Sequence, residues 1–281
     1  MKIQKLISVV AAVAMLGVST AAQADITVST GGPTGTYHQF FVDIKKVCGD
    51  KVNLVELPSK GGDENLTNLV EKTAHVAFVQ TDTLKFVSMK DPRVNEADLQ
   101  TLIPLYNEEV HLIAKGATKS SGGLNLGFTT LGGKTVVVSK LEDLKGLKVG
   151  AWGGSITTAS AMNVFGNIGM NLIPFTMEKP DVAARAALDK GEIDVILAVG
   201  GQPLGFAKTL TPAYRLIEIS SASSSKMSFY VPTRINYTNM NASVGTIAAQ
   251  SYLVTRNIRS AAIKAELSIL KACIAENLDD L

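Results

Sequence analysis

The sequence predicts an α/β protein of two lobes, each a mostly parallel sheet flanked by helices, with a cleft between them. Three observations carry that expectation. Short apolar strands alternate with segments whose apolar residues recur at helical spacing, the pattern of parallel strands joined by crossover helices. The alternation occurs twice at matched length, over 49 residues from Gly31 to Gln80 and 47 from Gly153 to Gly200. A composition that is 46% hydrophobic, with 24 glycines and 6% aromatic residues, suits a packed α/β chain rather than a disordered one.

The first residues read as an export signal. Lys2 and Lys5 precede the apolar run Leu6 to Val18, and the small-residue stretch STAAQA follows. This order of charge, apolar core and A-x-A site predicts a signal peptide at 1–24, cleaved after Ala24, and a periplasmic location. The run is shorter than the ~20 apolar residues that span a bilayer, and no cysteine follows it closely, which argues against a lipid anchor. The full chain has 27 basic and 25 acidic residues; the first 24 carry two lysines and no acid, so 25 of each sign remain. A neutral mature chain without a basic cluster argues against nucleic acid as a partner. No second long apolar stretch occurs, so the chain is not expected to be membrane-embedded, and a monomer is expected. Two cysteines, Cys48 and Cys273, either pair as a disulfide in an oxidising compartment or stand as separate buried thiols.

Taken in order, DITVS (25–29) is a strand and TGGPTG a turn. Phe40, Ile44 and Val47 then mark one face of a helix that ends near Gly49. Strand 52–57, the turn PSKGGDEN, a helix with Leu66, Leu69 and Val70 on one face, and strand 75–80 follow, the last running into the polar turn QTD. YNEEVHLIAKG (106–116) reads as the crossing between lobes, and 116–135 as a glycine- and serine-rich surface insertion. The second lobe begins with TVVVS and the helical lead-in LEDLKG. It continues through strand 147–152, the turn GGSITT, a helix presenting Met162 and Phe165, and strand 171–175. A helix over 182–190 with Asp181 as N-cap and strand 193–199 ending in GGQP complete the unit. Strand 214–220 precedes an irregular segment, SASSSKMSFYVPTRINYTNMN. Strand 245–254 and a helix through Ile263, Leu267 and Leu270 return to the first lobe. Lobe I is thus expected at 25–113 plus 245–281 and lobe II at 114–244, hinged near 106–116 and 220–245.

In a parallel α/β sheet, ligands bind beyond the carboxyl ends of the strands, where helix N-termini present free N–H groups. Four loops answer that description: TGGPTG, QTD, GGSITT and GGQP. The enzymatic and nucleotide motifs fail. GFTTLGGKT lacks the first glycine of a phosphate loop, having Phe128 there, and leads to a strand. TGGPTG does not match G-x-G-x-x-G, and GGSIT does not match G-x-S-x-G. His38, His75 and His111 stand apart from one another and from any metal-ligand spacing, so no metal and no cofactor are expected, and each histidine reads as structural or as a single hydrogen-bonding group. A binding protein is expected, not an enzyme.

Five segments in order resemble one family: STGGPTGTYHQF, KGGDENLTNLVEKTAHVAFVQTDTL, LYNEEVHLIAKG, LEDLKGLKVGAWGGSITTASAMNVF and ALDKGEIDVILAVGGQP. Together they are similar to the TAXI solute-binding proteins of TRAP transporters, over nearly the whole mature chain. The resemblance implies a type II periplasmic binding fold, a Venus flytrap. It implies capture of a small organic acid, often glutamate or a related dicarboxylate, and delivery to a TRAP membrane permease, typically driven by sodium. Departures include His38 where a second aromatic is usual, GGSIT in place of G-S-G-[ST], and the long 116–135 insertion. An ABC-type or sensor-associated binding protein, or an extracytoplasmic enzyme on the same fold, are the alternatives.

The resemblance and the residue pattern select the same ligand positions. Thr34, Gly35, Thr36 and Tyr37 offer N–H groups, a hydroxyl and a phenol to an anion. Gln80 offers an amide, with Thr81 beside it, and Asp82 either takes an amino group or caps the next helix. Asn65 and Gly62 come from the intervening turn. Gly154, Ser155, Thr157 and Thr158 are donors at a second helix start, and Gly200, Gly201 and Gln202 form a far wall. No arginine falls on these loops, so helix N-termini and hydroxyls must hold the acid; Arg234 or Tyr237 are candidates to fold over the cleft.

Overall fold

The computed structural model describes residues 23–33, 35–116, 124–125, 130–131 and 138–281. The predicted signal segment up to residue 22, Thr34, most of the 116–135 insertion and residues 135–137 of the TVVVS segment lie outside the described residues, and Val138 and Ser139 at its end are not in a strand. Strands β1 (Ile26–Ser29), β2 (Leu54–Leu57) and β3 (Val76–Gln80) alternate with helices α1 (Thr36–Cys48), α2 (Gly62–Val70) and α3 (Thr81–Lys90). The long β4 (Leu99–Lys115) follows, and the short pair β5 (Leu124–Asn125) and β6 (Thr130–Leu131) stands apart as its own small sheet. The second unit comprises β7 (Lys148–Trp152), α4 (Gly154–Gly166), β8 (Asn171–Phe175), α5 (Pro180–Lys190) and β9 (Val195–Gly200). Then come α6 (Gly205–Lys208), β10 (Tyr214–Leu216), α7 (Ser221–Ser224), β11 (Tyr230–Tyr237), β12 (Ala242–Arg256) and α8 (Ala261–Glu276).

The internal repetition is visible in the pairing. β1 lies between β2 and β3, all parallel, and β7 lies between β8 and β9 in the same way. Each trio is completed by one antiparallel strand, β12 beside β3 and β4 beside β9. β4 and β12 also pair with each other, so one ten-stranded mixed sheet runs through both lobes in the order β2-β1-β3-β12-β4-β9-β7-β8.

Alternation along the central strands separates the cores. On β3, Val76 and Phe78 face Phe41, Ile44 and the α8 residues Leu267 and Leu270, whereas Ala77 and Val79 face Leu66, Leu69 and Val87. On β9, Val195 and Leu197 pack on Ala159 and Met162, and Ile196 and Ala198 on Ala184 and Leu188. β3 and β9 are therefore covered on two faces, as their unbroken apolar runs require, whereas the outer strands β2 and β8 stay partly exposed. Cys48 at the end of α1 and Cys273 in α8 are joined by a disulfide with Cα atoms 6.0 Å apart.

Several local expectations are corrected. The stretch 106–116 is not a loop: it is the C-terminal part of β4 and the residue after it, with β4 pairing with β12 over Leu99–Glu109 and with β9 over Glu109–Ile113. No turn forms at Gln80-Thr81-Asp82, because β3 passes directly into α3. The buried stripe of α1 is Tyr37, Phe41, Ile44 and Cys48, with Phe40 and Val47 at its flank. α5 opens at Pro180 with Lys179 as N-cap, so Asp181 lies inside the first turn; proline suits that position because its missing N–H would have no helical partner. The segment read as irregular contains β11, paired with β12 along its length. Pro232 hides this strand from a sequence reading but is compatible with a strand that lies off the main sheet path.

Candidate functional site

The carboxyl ends of β1, β2, β3, β7, β8 and β9 converge on one cleft. Its inner part is a cavity of about 720 Å³ lined by Gly31, Gly32, Gly35, Thr36 and Tyr37 from the first loop and Ser59 to Gly62 from the second. Gln80, Glu108 and the Trp152–Ile156 segment line it as well. An outer groove of about 1430 Å³ adjoins it and shares Thr36, Trp152, Met177, Pro180, Val199 and Leu204 with it.

Several helices begin at this cavity, and three of them, α1, α2 and α4, have glycine N-caps, whereas α3 starts after Gln80 and α5 at Pro180. Gly35, Gly61 and Gly153 cap α1, α2 and α4, and none of these helices receives a hydrogen bond from a capping side chain. Away from the cleft the rule reverses: Ser260 accepts a hydrogen bond from Ile263 N–H at the start of α8. Helix starts leave backbone N–H groups without helical partners, and a side-chain cap would occupy one of them. At the cleft, glycine leaves them for a ligand, with the positive end of the helix dipole behind them. Gly61 (φ 117°) and Gly153 (φ 50°) also hold backbone conformations that side chains disfavour. The lobes touch here, since a Cβ on Gly61 would stand 3.7 Å from the backbone of Gly154.

Of the residues expected at the site, Gly35, Thr36, Tyr37, Gln80, Gly154 and Ser155 line the inner cavity together with Gly62. Gly201 and Gln202 line the outer groove. Ser155 Oγ accepts the Val199 N–H (3.0 Å) and so braces β9 against α4. Gln202 is committed to structure, its Oε1 accepting from Asn236 N–H and its own N–H reaching Glu109 Oε2.

The remaining expected residues lie outside the lining, each for a visible reason. Asn65 is fully buried; its Nδ2 donates to the carbonyls of Thr30 and Phe78, and its Oδ1 accepts from Ser29 Oγ. It ties the ends of β1 and β3 together beneath the cavity. Asp82 is buried, caps its own helix through Thr83 N–H (2.7 Å), and accepts from Tyr230 Oη (2.9 Å). Burial raises its pKa, against the pull of these bonds and of the neighbouring Thr158. Thr81 Oγ1 donates to the Phe229 carbonyl. Thr81 and Asp82 thus fasten α3 to the start of β11 and the residue before it, while Thr158 is fully buried on α4 beside Asp82. Thr157 is half-buried on α4 outside the lining, and Gly200 sits behind it, packed by Leu204. Thr34 lies outside the described residues. Arg234 is directed at Ser243. Tyr237 accepts from Leu204 N–H and meets His111 Nε2 at 2.8 Å, which supports the GGQP loop from behind.

The histidines have structural partners. His111 Nδ1 donates to the Glu109 carbonyl, leaving Nε2 to accept the Tyr237 hydroxyl, and burial lowers its pKa to about 4. His75 Nδ1 accepts the Thr27 N–H, and His38 pairs with Glu56.

Glu108 is the residue that the loop-based reading missed. It is 6% exposed, lines the inner cavity, and belongs to none of the ion pairs among the described residues. Burial raises its pKa to about 8; Tyr37, Ser251 and Gln80 lie beside it and oppose the rise, while the like charge of Asp82 adds to it. A sequence signal existed. Alternation along β4 puts Tyr106, Glu108, Val110 and Leu112 on one face, a carboxylate inside an otherwise apolar stripe.

No protein-family model matches this sequence, and no curated protein sequence matches it. Its fold is nonetheless shared with solved structures. The substrate-binding protein of an amino acid ABC transporter superposes with a TM-score of 0.52 at 12% identity, over 90% of this chain and 93% of that one. An ancestral arginine-binding protein bound to arginine gives 0.51 at 16% identity, over 91% and 93%. The GluR0 ligand-binding core in complex with L-glutamate gives 0.50 at 14%, over 92% and 98%. At these identities the likeness is one of fold: the chain has the two-lobed architecture of the type II periplasmic binding proteins, and these neighbours are binding proteins rather than enzymes. Among the described residues no helix is long and apolar enough to cross a membrane.

Proposed function

We propose that this chain is the periplasmic solute-binding subunit of a TAXI-type TRAP transporter, capturing a small organic acid such as glutamate or a related dicarboxylate. The observation that supports acid capture most is the set of three glycine-capped helix starts around one cavity between the lobes. A carboxylate at a helix N-terminus gains ~0.3–1 kcal/mol from the dipole when exposed and up to ~2 when partly buried, beyond its hydrogen bonds. Several such donors hold an acid without an arginine. The TRAP assignment rests on the five ordered motifs, and an ABC-type partner is the competing one, since that is how the first of the structural neighbours is described.

Capture works by closure. Lobe I, at 25–113 plus 245–281, carries the starts of α1 and α2, and lobe II, at 114–244, carries that of α4. The hinge lies near 106–116 and 220–245, about the crossing of β4 and β12. A ligand that contacts both lobes binds the closed form better and shifts the population toward it. The closed surface is then the form the permease reads. A thermal-shift panel of small mono- and dicarboxylates and amino acids tests the reading, with native mass spectrometry for a ligand retained through purification. At least one acid should raise the melting temperature saturably; a panel without any shift, and a protein that carries nothing, would refute acid capture.

A further inference from the structure

The cavity floor carries a cluster of buried polar atoms that the helix starts do not account for. Tyr37 Oη, Tyr106 Oη, Glu108 Oε1 and Ser251 Oγ are each fully shielded from solvent and without a hydrogen-bond partner among the described residues. They come from α1, β4 and β12 and lie within weak hydrogen-bonding reach of one another, Tyr37 and Ser251 toward the Glu108 carboxylate and Ser251 toward Tyr37 and Tyr106, but none of these approaches makes a full hydrogen bond. Buried polar atoms are almost always paired, so four orphans in one place mark a group that completes them. Glu108 and Tyr37 reach the cavity wall, which gives that group access.

The chemistry of the four atoms selects the group. An ionised carboxylate only accepts, and phenol and alcohol oxygens accept as well as donate. A second carboxylate at this point would fit only while Glu108 keeps its proton and would raise its pKa further, with Asp82 already doing so from behind, whereas a cation draws the buried carboxyl into its ionised, accepting form. A primary ammonium offers three donors and the compensating charge. The only cationic side chain in the lining, Lys60, is exposed at the rim. On the reading that the glycine-capped helix starts hold a carboxylate, we infer that Glu108, with Tyr37, Tyr106 and Ser251, is the receptor for the ligand's ammonium group, so that the substrate class is α-amino acids rather than plain dicarboxylates.

Proton linkage follows from the same arrangement. With its pKa raised to about 8, Glu108 holds a proton at pH 7 in the free protein. A bound ammonium favours the ionised form, so binding expels close to ~1 proton per ligand. The other groups near Glu108 do not interfere: Tyr37 and Tyr106 are raised above their ordinary values, and Asp82, though raised, is already engaged by Tyr230 and Thr83.

The test is calorimetry with matched pairs of an amino acid and its amine-free counterpart: L-glutamate and glutarate, L-aspartate and succinate, L-leucine and 4-methylpentanoate. It is run on the mature wild type and on Glu108→Gln at pH 7, in two buffers of different ionisation enthalpy. In whichever pair binds, the amino acid should bind the wild type at least ~30-fold more tightly, consistent with a charged hydrogen-bonded contact, and with proton release. Glu108→Gln should abolish both the preference and the release while leaving the amine-free acid bound as well or better. Equal affinity within a pair on the wild type would overturn the inference but leave acid capture standing. So would an unchanged preference in Glu108→Gln, which would make Glu108 an internal neutral acid. Sodium-dependent binding of both members alike would assign the cluster to a metal cation instead and overturn the inference too. If no acid in any pair binds, acid capture fails and the inference falls with it.

Discussion

Glu108 concentrates the residue-scale physics of this protein. A carboxyl that keeps its proton up to about pH 8 in the folded chain, and gives it up near its ordinary value of 4.5 when unfolded, destabilises the fold as pH rises between those values. His111 works in the opposite direction but lower, since its neutral buried ring costs stability only as pH falls from 6.5 toward about 4. In the window from pH 6.5 to 8 the change at Glu108 is the largest, beside smaller ones from the raised Asp82 and Glu109 and the lowered His75. Urea unfolding of the ligand-free protein should lose on the order of 1–2 kcal/mol across that window, and Glu108→Gln should flatten the dependence. At Gly153, by contrast, the constraint is backbone alone: a Cβ there meets no atom within 4 Å, yet φ is 50°. Gly153→Ala should cost about 1–3 kcal/mol in a denaturant titration, and it should weaken acid binding because it tilts the first turn of α4.

At the scale of elements, most helices and the parallel trios were legible, because each shows clean periodicity and a glycine or proline at its ends. The pairs TGG…GTY and WGGS mark both cleft-facing helix starts that the sequence reading relied on, and Gly35, Thr36, Tyr37, Gly154 and Ser155 do line the cavity. What sequence could not show is which polar residues near those loops are consumed by structure. Asn65, Asp82 and Gln202 look like ligand groups one loop at a time, but their partners are Thr30, Tyr230 and Asn236, far away in the chain. Glu108 escaped for the same reason: its burial depends on β12, which closes over β4 only after the chain returns. The disulfide belongs to this scale as well. It fastens α1, which opens onto the site, to α8, more than two hundred residues later. Replacing Cys48 and Cys273 by alanine should lower stability by about 2–4 kcal/mol, as expected for closing so long a loop, read as the difference in unfolding free energy with and without the pair. Acid affinity should be unaffected, because neither cysteine lines the cavity.

For the whole molecule, the proposed function makes the two units and their shared strands a device with two states. The β-strands that cross between lobes are continuous, so the lobes can rotate about them without breaking either core. Gly61 and Gly154 approach each other across the cavity, with Tyr230 and Asp82 bonded beneath it. The duplication was readable from spacing alone, whereas the mixed character of the sheet was not, because β4 and β12 are each contributed to the other unit by distant parts of the chain. Trp152 reports on this device directly. It is the single tryptophan, it lines both the inner cavity and the outer groove, and its ring packs on Phe206 at 5.1 Å. The central claim, that a small organic acid is captured between the lobes at the helix starts, is tested most directly by titrating the mature protein with L-glutamate and related acids while following Trp152 emission. A saturable emission change that is lost in Gly153→Ala would agree with capture at this cleft. Emission that stays flat for an acid whose binding calorimetry detects, or a response that Gly153→Ala leaves intact, would contradict it.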